Sequence, residues 1–132
     1  MSKRIVLING APTPVGPCSQ GVVMDGWVWT SGQVGLNPAT GELVGPDVAT
    51  QANQALHNIE AILRAAGSGL NQVVRVTVFL TNMDDFPAVN AVYANYFATD
   101  FPARSCVEVS RLPRGALVEI DAMARVNRLA SR

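Results

Sequence analysis

The chain has 132 residues, nearly half of them hydrophobic (48%), and its ten basic and ten acidic residues cancel to zero formal charge. That length supports one domain with a real core but not two; no apolar run is long enough to cross a membrane, and no basic run offers the phosphate neutralisation that nucleic-acid binding needs. Cys18 and Cys106 lie far apart and make no disulfide scaffold; with no charged start followed by an apolar signal core, a soluble protein of the cytoplasm is expected.

Arg4 to Ile8 reads as a short strand. Gln20 to Met24 and Trp27 to Ser31 flank Asp25-Gly26, a two-residue link that favours a hairpin. Asn37 to Gly45 is rich in turn formers and reads as a loop. A helix is predicted from Val48 to Ala66, with Asp47 as its cap and Gly67 as its stop. Its apolar stripe is Ala52, Ala55, Leu56, Ile59, Ile62, Leu63 and Ala66, and Asn53, His57, Glu60 and Arg64 fall opposite. Val73 to Leu80 is β-branched and apolar, the pattern of a well-buried strand. Asp84-Asp85-Phe86-Pro87 opens a second helix whose buried side is Phe86, Val89, Val92, Tyr93, Tyr96 and Phe97. Strands at Ser105–Val109 and Leu117–Arg125 complete the order β-β-β-α-β-α-β-β. The expected fold is α+β: a single mixed sheet covered on one face by two helices. Residues 1–126 form one domain and 127–132 a loose tail. A sheet covered on one face only needs a cover for the other, and self-association supplies it economically.

Scarcity narrows the chemistry. Lys3 is the only lysine and His57 the only histidine, so neither a Schiff-base lysine nor a multi-histidine metal site is expected. There is no P-loop and no dinucleotide-binding glycine motif. An enzyme of this composition is expected to work without cofactor or metal. His57 reads as a surface residue, Trp27 and Trp29 as packing residues, and Arg111 and Arg114 as solvated turn residues.

The strongest signal is Pro102-Ala103-Arg104-Ser105-Cys106-Val107-Glu108-Val109, followed by the turn Leu112-Pro113-Arg114-Gly115 and by Leu117-Val118-Glu119-Ile120. A guanidinium grips a carboxylate in two-point geometry, and a nearby acid can work on the chemistry beside that carboxylate. Arg104, Cys106 and Glu108 share one strand face. An antiparallel register with Cys106 opposite Glu119 would bring Glu119 diagonally near Arg104. The bland alternative is that Arg104 pairs with Glu108 or Glu119 and only ties a hairpin together.

With Gly16-Pro17-Cys18-Ser19-Gln20 and Thr30-Ser31-Gly32-Gln33 added, the chain from about Ala11 to Ala124 resembles the RidA (YjgF) family of imine deaminases. The resemblance implies a chorismate-mutase-like α+β domain, a homotrimer and pockets between subunits. It also implies site roles: Arg104 as carboxylate anchor, Glu119 as water-positioning acid/base, the Cys106 backbone, Ser31 and Gly32 as substrate contacts, and Asn90 lining the vicinity. Cys18 stands where the family usually carries a pocket tyrosine. A thiol is shorter and a weaker donor; Cys18 is either a small buried hydrophobe or, with Cys106 of a neighbouring subunit, a redox-sensitive element. The implied reaction is hydrolysis of 2-aminoacrylate and related 2-imino acids to 2-keto acids and ammonia. The alternatives are a regulatory or chaperone-like module that binds small carboxylates without turnover, and a ribonuclease or translation inhibitor.

Overall fold

In the computed structural model, which describes residues 2–127, the first three strands form a meander: β1 (Arg4–Val6), β2 (Gly21–Met24) and β3 (Trp27–Thr30). Asp25 and Gly26 turn the β2–β3 hairpin with positive φ at both positions, 54° and 82°, the conformation that matches strand twist in a two-residue link. A two-residue strand, β4 (Gln33–Val34), follows directly. The sequence pattern does not reveal it, because two residues carry no periodicity.

Helix α1 (Val48–Ala65) starts at Asp47, whose side chain accepts from the Thr50 backbone N–H. Its predicted stripe is the buried face, and Leu56, Ile59, Ile62 and Leu63 have no exposed surface. They pack against Val76 and Val78 of β5 (Val73–Leu80) and against Val118 and Ile120 of β7 (Val118–Arg125). Burying each such side chain is worth about 1.5–3 kcal/mol, so truncating Ile59 to alanine would cost about 2–5 kcal/mol. A short helix, α2 (Phe86–Tyr93), joins β5 to β6 (Ala103–Glu108). It ends before Tyr96 and Phe97, which fold back in the turn that follows.

The sheet order is β1-β2-β3-β7-β5-β6, with β4 also paired to β7. All ladders are antiparallel except β5–β6, which are parallel and use α2 as the crossover that parallel pairing demands. The expected α+β architecture therefore holds, with β4 as an added strand. The expected β6–β7 hairpin does not form. Segment 109–117 is too long for a tight turn and crosses the end of β5, where Val109 N–H donates to Leu80 O and Thr81 N–H to Leu117 O. β7 then enters on the far side of β5, so Cys106 pairs with Val78 and Glu119 with Phe79.

Both helices lie on one sheet face. On the other, Ile5, Met24, Trp29 and Val107 are 37–48% exposed, around a polar centre of Arg75, Thr77, Ser105 and Asp121. Asn127 is anchored, its N–H donating to Gly67 O; the rest of the expected tail, 128–132, lies outside the described residues.

Candidate functional site

The segment from Ile8 to Pro12 is tied to the end of the Gly16–Gln20 loop by one side chain. Gln20 is buried, accepts from Ile8 N–H at 2.7 Å and donates to the carbonyls of Ile8, Ala11 and Pro12 at 3.0–3.1 Å. This segment needs such help, because Pro12 and Pro14 bring no N–H to a ladder. Ser31 N–H then donates to Gln20 O, and the Ser31 hydroxyl to Ser19 O at 2.5 Å. The Ser31 hydroxyl proton is thus already engaged, leaving its lone pairs for a ligand.

These contacts shape a recess of about 100 Å³ lined by Cys18, Ser31, Gly32 and Glu119, with Pro113 and Arg114 at one side. That is room for a few waters. Arg114 was expected to be merely solvated; its guanidinium donates to Gly41 O at 2.7 Å and it borders the recess. Gly32 lies under the Glu119 carboxyl so closely that a Cβ there would fall against Oε1 and 2.8 Å from Cδ. Burial lifts the Glu119 pKa above the ordinary glutamate value, and the Asp121 carboxylate two residues along the same face adds to the rise. Burial raises Asp121 as well, with Thr77 and Arg75 opposing it. A carboxyl held this way keeps its proton more readily than a free one and can exchange it with a bound water.

Arg104 sits elsewhere. It pairs with Val76, a core residue, so its side chain leaves the sheet on the helix-covered face, whereas Glu119 leaves on the other. The expected diagonal neighbourhood of Arg104 and Glu119 is therefore absent within one copy, because β5 separates their strands and the register assigns them opposite faces. Nor does Arg104 tie a hairpin: Glu60–Arg64 is the one ion pair among the described residues, and Glu108 accepts instead from Met83 N–H. The Arg104 guanidinium lies over aromatic rings, 4.6 Å from the Tyr93 centroid and 5.2 Å from that of Phe86. With Asn90, Phe97, Phe101 and Pro102 it lines a second, larger recess of about 420 Å³. Here the Asn90 Oδ1 and the Tyr93 hydroxyl are buried without partners. Cys106, two residues on, packs against the core, and burial pushes its thiol up despite the nearby guanidinium.

The predicted residues thus divide into two groups: Cys18, Ser31, Gly32 and Glu119 in one recess, Asn90 and Arg104 in the other, with Cys106 beside the second. Asp121 stands beside Glu119 on the same sheet face, and Tyr93, a core residue as its helical spacing implies, also lines the second recess. Asp121 was legible as a carboxylate two residues from Glu119, since alternation puts both on one face. His57 is exposed on α1 and borders neither recess.

The family described as Endoribonuclease L-PSP matches residues 8–126. A 2-iminobutanoate/2-iminopropanoate deaminase from Capra hircus is 48% identical over 122 residues, 92% of this chain and 89% of that one. A Yersinia pestis structure, YyfA of the conserved Rid family, superposes with a TM-score of 0.92 at 46% identity, covering 95% of this chain and all of that one. The structure of E. coli TdcF with bound serine gives 0.89 at 40% identity, over 94% and 99% of the two chains. Fold, motifs and relatives agree, and the chain belongs to the RidA (YjgF) family.

Proposed function

We propose that this protein hydrolyses reactive 2-imino acids and their enamine tautomers to 2-keto acids and ammonia, in a homotrimer whose sites are shared between copies. The observation that carries this reading is the division of the chemistry: an anchor without a carboxylate partner and a raised carboxyl open on opposite faces of one sheet. Each half is incomplete alone. A second copy laid on the uncovered apolar face would join one recess to the other and bury side chains such as Trp29 and Val107. The deaminase name of the Capra hircus relative supports the reaction, and the serine bound to TdcF is a compact carboxylate-bearing amine of the substrate's size class.

In the shared site Arg104 holds the substrate carboxylate through two N–H donors. Glu119 of the adjoining copy takes a proton from water as the water oxygen bonds to the imine carbon. The nitrogen takes up that proton to give the carbinolamine, the hydroxyl proton then passes through the Glu119 carboxylate to the same nitrogen, and the C–N bond breaks to release ammonia and leave the keto acid. An enamine is first protonated at its terminal carbon by the acid form of Glu119, the form that burial and the Asp121 carboxylate favour. Positioning and one acid/base are sufficient for a substrate that already hydrolyses in water; the acid/base alone contributes about 10²–10⁴-fold. No cofactor or metal enters the scheme.

Cys18 favours one second reading. Its short thiol leaves the first recess without the family's usual hydroxyl, which suits a module that binds small carboxylates without turning them over.

The test generates imino acids with an amino-acid oxidase and measures their hydrolysis against a trapping reagent. Wild type should accelerate hydrolysis, while Arg104→Ala and Glu119→Ala should each lose it with the fold retained in far-UV circular dichroism. Refolding the two variants together should restore about a quarter of wild-type activity, the fraction of shared sites in a random trimer that receive both intact groups. Failure of wild type with every imine removes the deaminase reading; failure of complementation removes the shared site.

A further inference from the structure

We infer that Phe86 and Tyr93 form an aromatic shelf that positions the Arg104 guanidinium for its ligand, and that Tyr93 acts through its ring and not its hydroxyl. The inference rests on the reading of Arg104 as carboxylate anchor. Phe86 and Tyr93 stand seven residues apart on α2, two helical turns, and so present their rings along one stripe. Arg104 comes up from β6 against that stripe, with its Cζ 4.6 Å from one ring centroid and 5.2 Å from the other. The Tyr93 ring is itself held: it is only 6% exposed and packs on Phe97 with centroids 4.7 Å apart and planes tilted by 35°.

A long side chain ending in a recess ordinarily samples many rotamers, and a fixed carboxylate partner would end that sampling at the cost of the donors the ligand needs. An aromatic surface differs, because it attracts the cation through the ring quadrupole and leaves N–H donors unoccupied. The shelf therefore reduces the freedom Arg104 must lose on binding while leaving its two-point grip available. The Tyr93 hydroxyl takes no visible part. It is buried and without a partner, a placement that weakens a fold unless something compensates.

The readout is the Kd of 2-oxobutanoate, a keto-acid product, measured by calorimetry so that it does not depend on turnover, alongside Tm. Wild type, Tyr93→Phe, Tyr93→Leu and Phe86→Leu are compared in the presence of Arg104 and in an Arg104→Ala background. Tyr93→Phe should bind like wild type, with Tm equal or higher. Tyr93→Leu should weaken binding about tenfold, and that loss should vanish when Arg104 is already alanine, since the ring acts through it. Phe86→Leu, at a half-buried position, should weaken binding in the same direction and carries the test if Tyr93→Leu lowers Tm. Equal losses with and without Arg104, or a Tyr93→Phe as damaged as Tyr93→Leu, would overturn the shelf. An unaltered Kd in Arg104→Ala itself would instead overturn the anchor reading beneath it, and wild-type turnover decides the deaminase reading separately.

Discussion

Replacing Gly32 by alanine isolates the position of one carboxyl. The left-handed glycines of the described chain are Gly26, Gly41, Gly67 and Gly115, so Gly32 is needed for its smallness and not for its backbone angles. The added methyl would fall against Glu119 Oε1, 2.8 Å from Cδ and 3.0 Å from Cγ, where ordinary contacts begin at 3.4 Å. Oε1, the nearest atom, must retreat by roughly 1 Å or the carboxyl must rotate away, and it can do so because it is the free end of a flexible side chain. Stability should therefore change little: about 1 kcal/mol of crowding at most, offset by a similar gain from stiffening the unfolded chain, or a few degrees in Tm. Turnover should suffer far more. A displacement approaching 1 Å at the reacting centre costs about 100-fold, and the loss should appear in kcat with KM for the imino acid nearly unchanged. A Gly32→Ala/Glu119→Asp pair, whose shorter carboxylate clears the methyl, should lose less on adding the methyl than wild type does. The assay is oxidase-coupled imine hydrolysis with melting curves on the same samples. A folded Gly32→Ala protein within threefold of wild-type kcat would refute the claim that the Glu119 carboxyl must sit where Gly32 admits it.

Glu119→Gln should raise Tm at neutral pH while removing turnover. Because the folded pKa of Glu119 lies above its unfolded value, stability linked to this group is complete below the unfolded value and is lost as pH rises through the folded one; a Tm gain that persists undiminished in acid would contradict this. Gln20→Ala strips partners from Ile8 N–H and from the Ala11 and Pro12 carbonyls and should cost about 2–4 kcal/mol in denaturant unfolding, so wild-type stability would show that water replaces the amide. Trp29→Glu or Val107→Asp, on the uncovered face, should shift the protein to monomers in sedimentation and depress turnover with far-UV circular dichroism unchanged. Retention of the oligomer would exclude that face as the interface.

Local signals were legible where one element settles its own affairs. The stripe of α1, its Asp47 cap and the Asp25-Gly26 turn all depend on residues within a few positions, and all are found where the pattern puts them. The β6–β7 pairing was not legible, because Leu112-Pro113-Arg114-Gly115 reads as a hairpin turn while the strand it delivers is claimed by β5. That single misplacement carried the site with it. Alternation gives the face of Arg104 relative to Cys106, and of Glu119 relative to Asp121, but only the tertiary register relates one pair to the other. β4 escaped notice because the Thr30 hydroxyl, accepting from Ala122 N–H, bridges the break between it and β3, and a side-chain splice leaves no periodic trace. The identity of the site residues came from motif resemblance; their division between two recesses came from the structure alone.

The last strand in sequence, β7, lies in the interior of the sheet, between β3 and β5. The β1–β3 meander and the β5–α2–β6 unit can each begin to form as their residues become available, yet the sheet cannot join them until residues 118–125 arrive and pair with partners as distant as Trp27. Folding should accordingly be slow and late, with high contact order, and during synthesis the apolar flank of β5 stays open to wrong partners until the end of the chain is made. Glu119 travels on that closing strand. The carboxyl that the proposed hydrolysis uses thus arrives in the same event that completes the architecture, and a chain cut short before β7 would lack both.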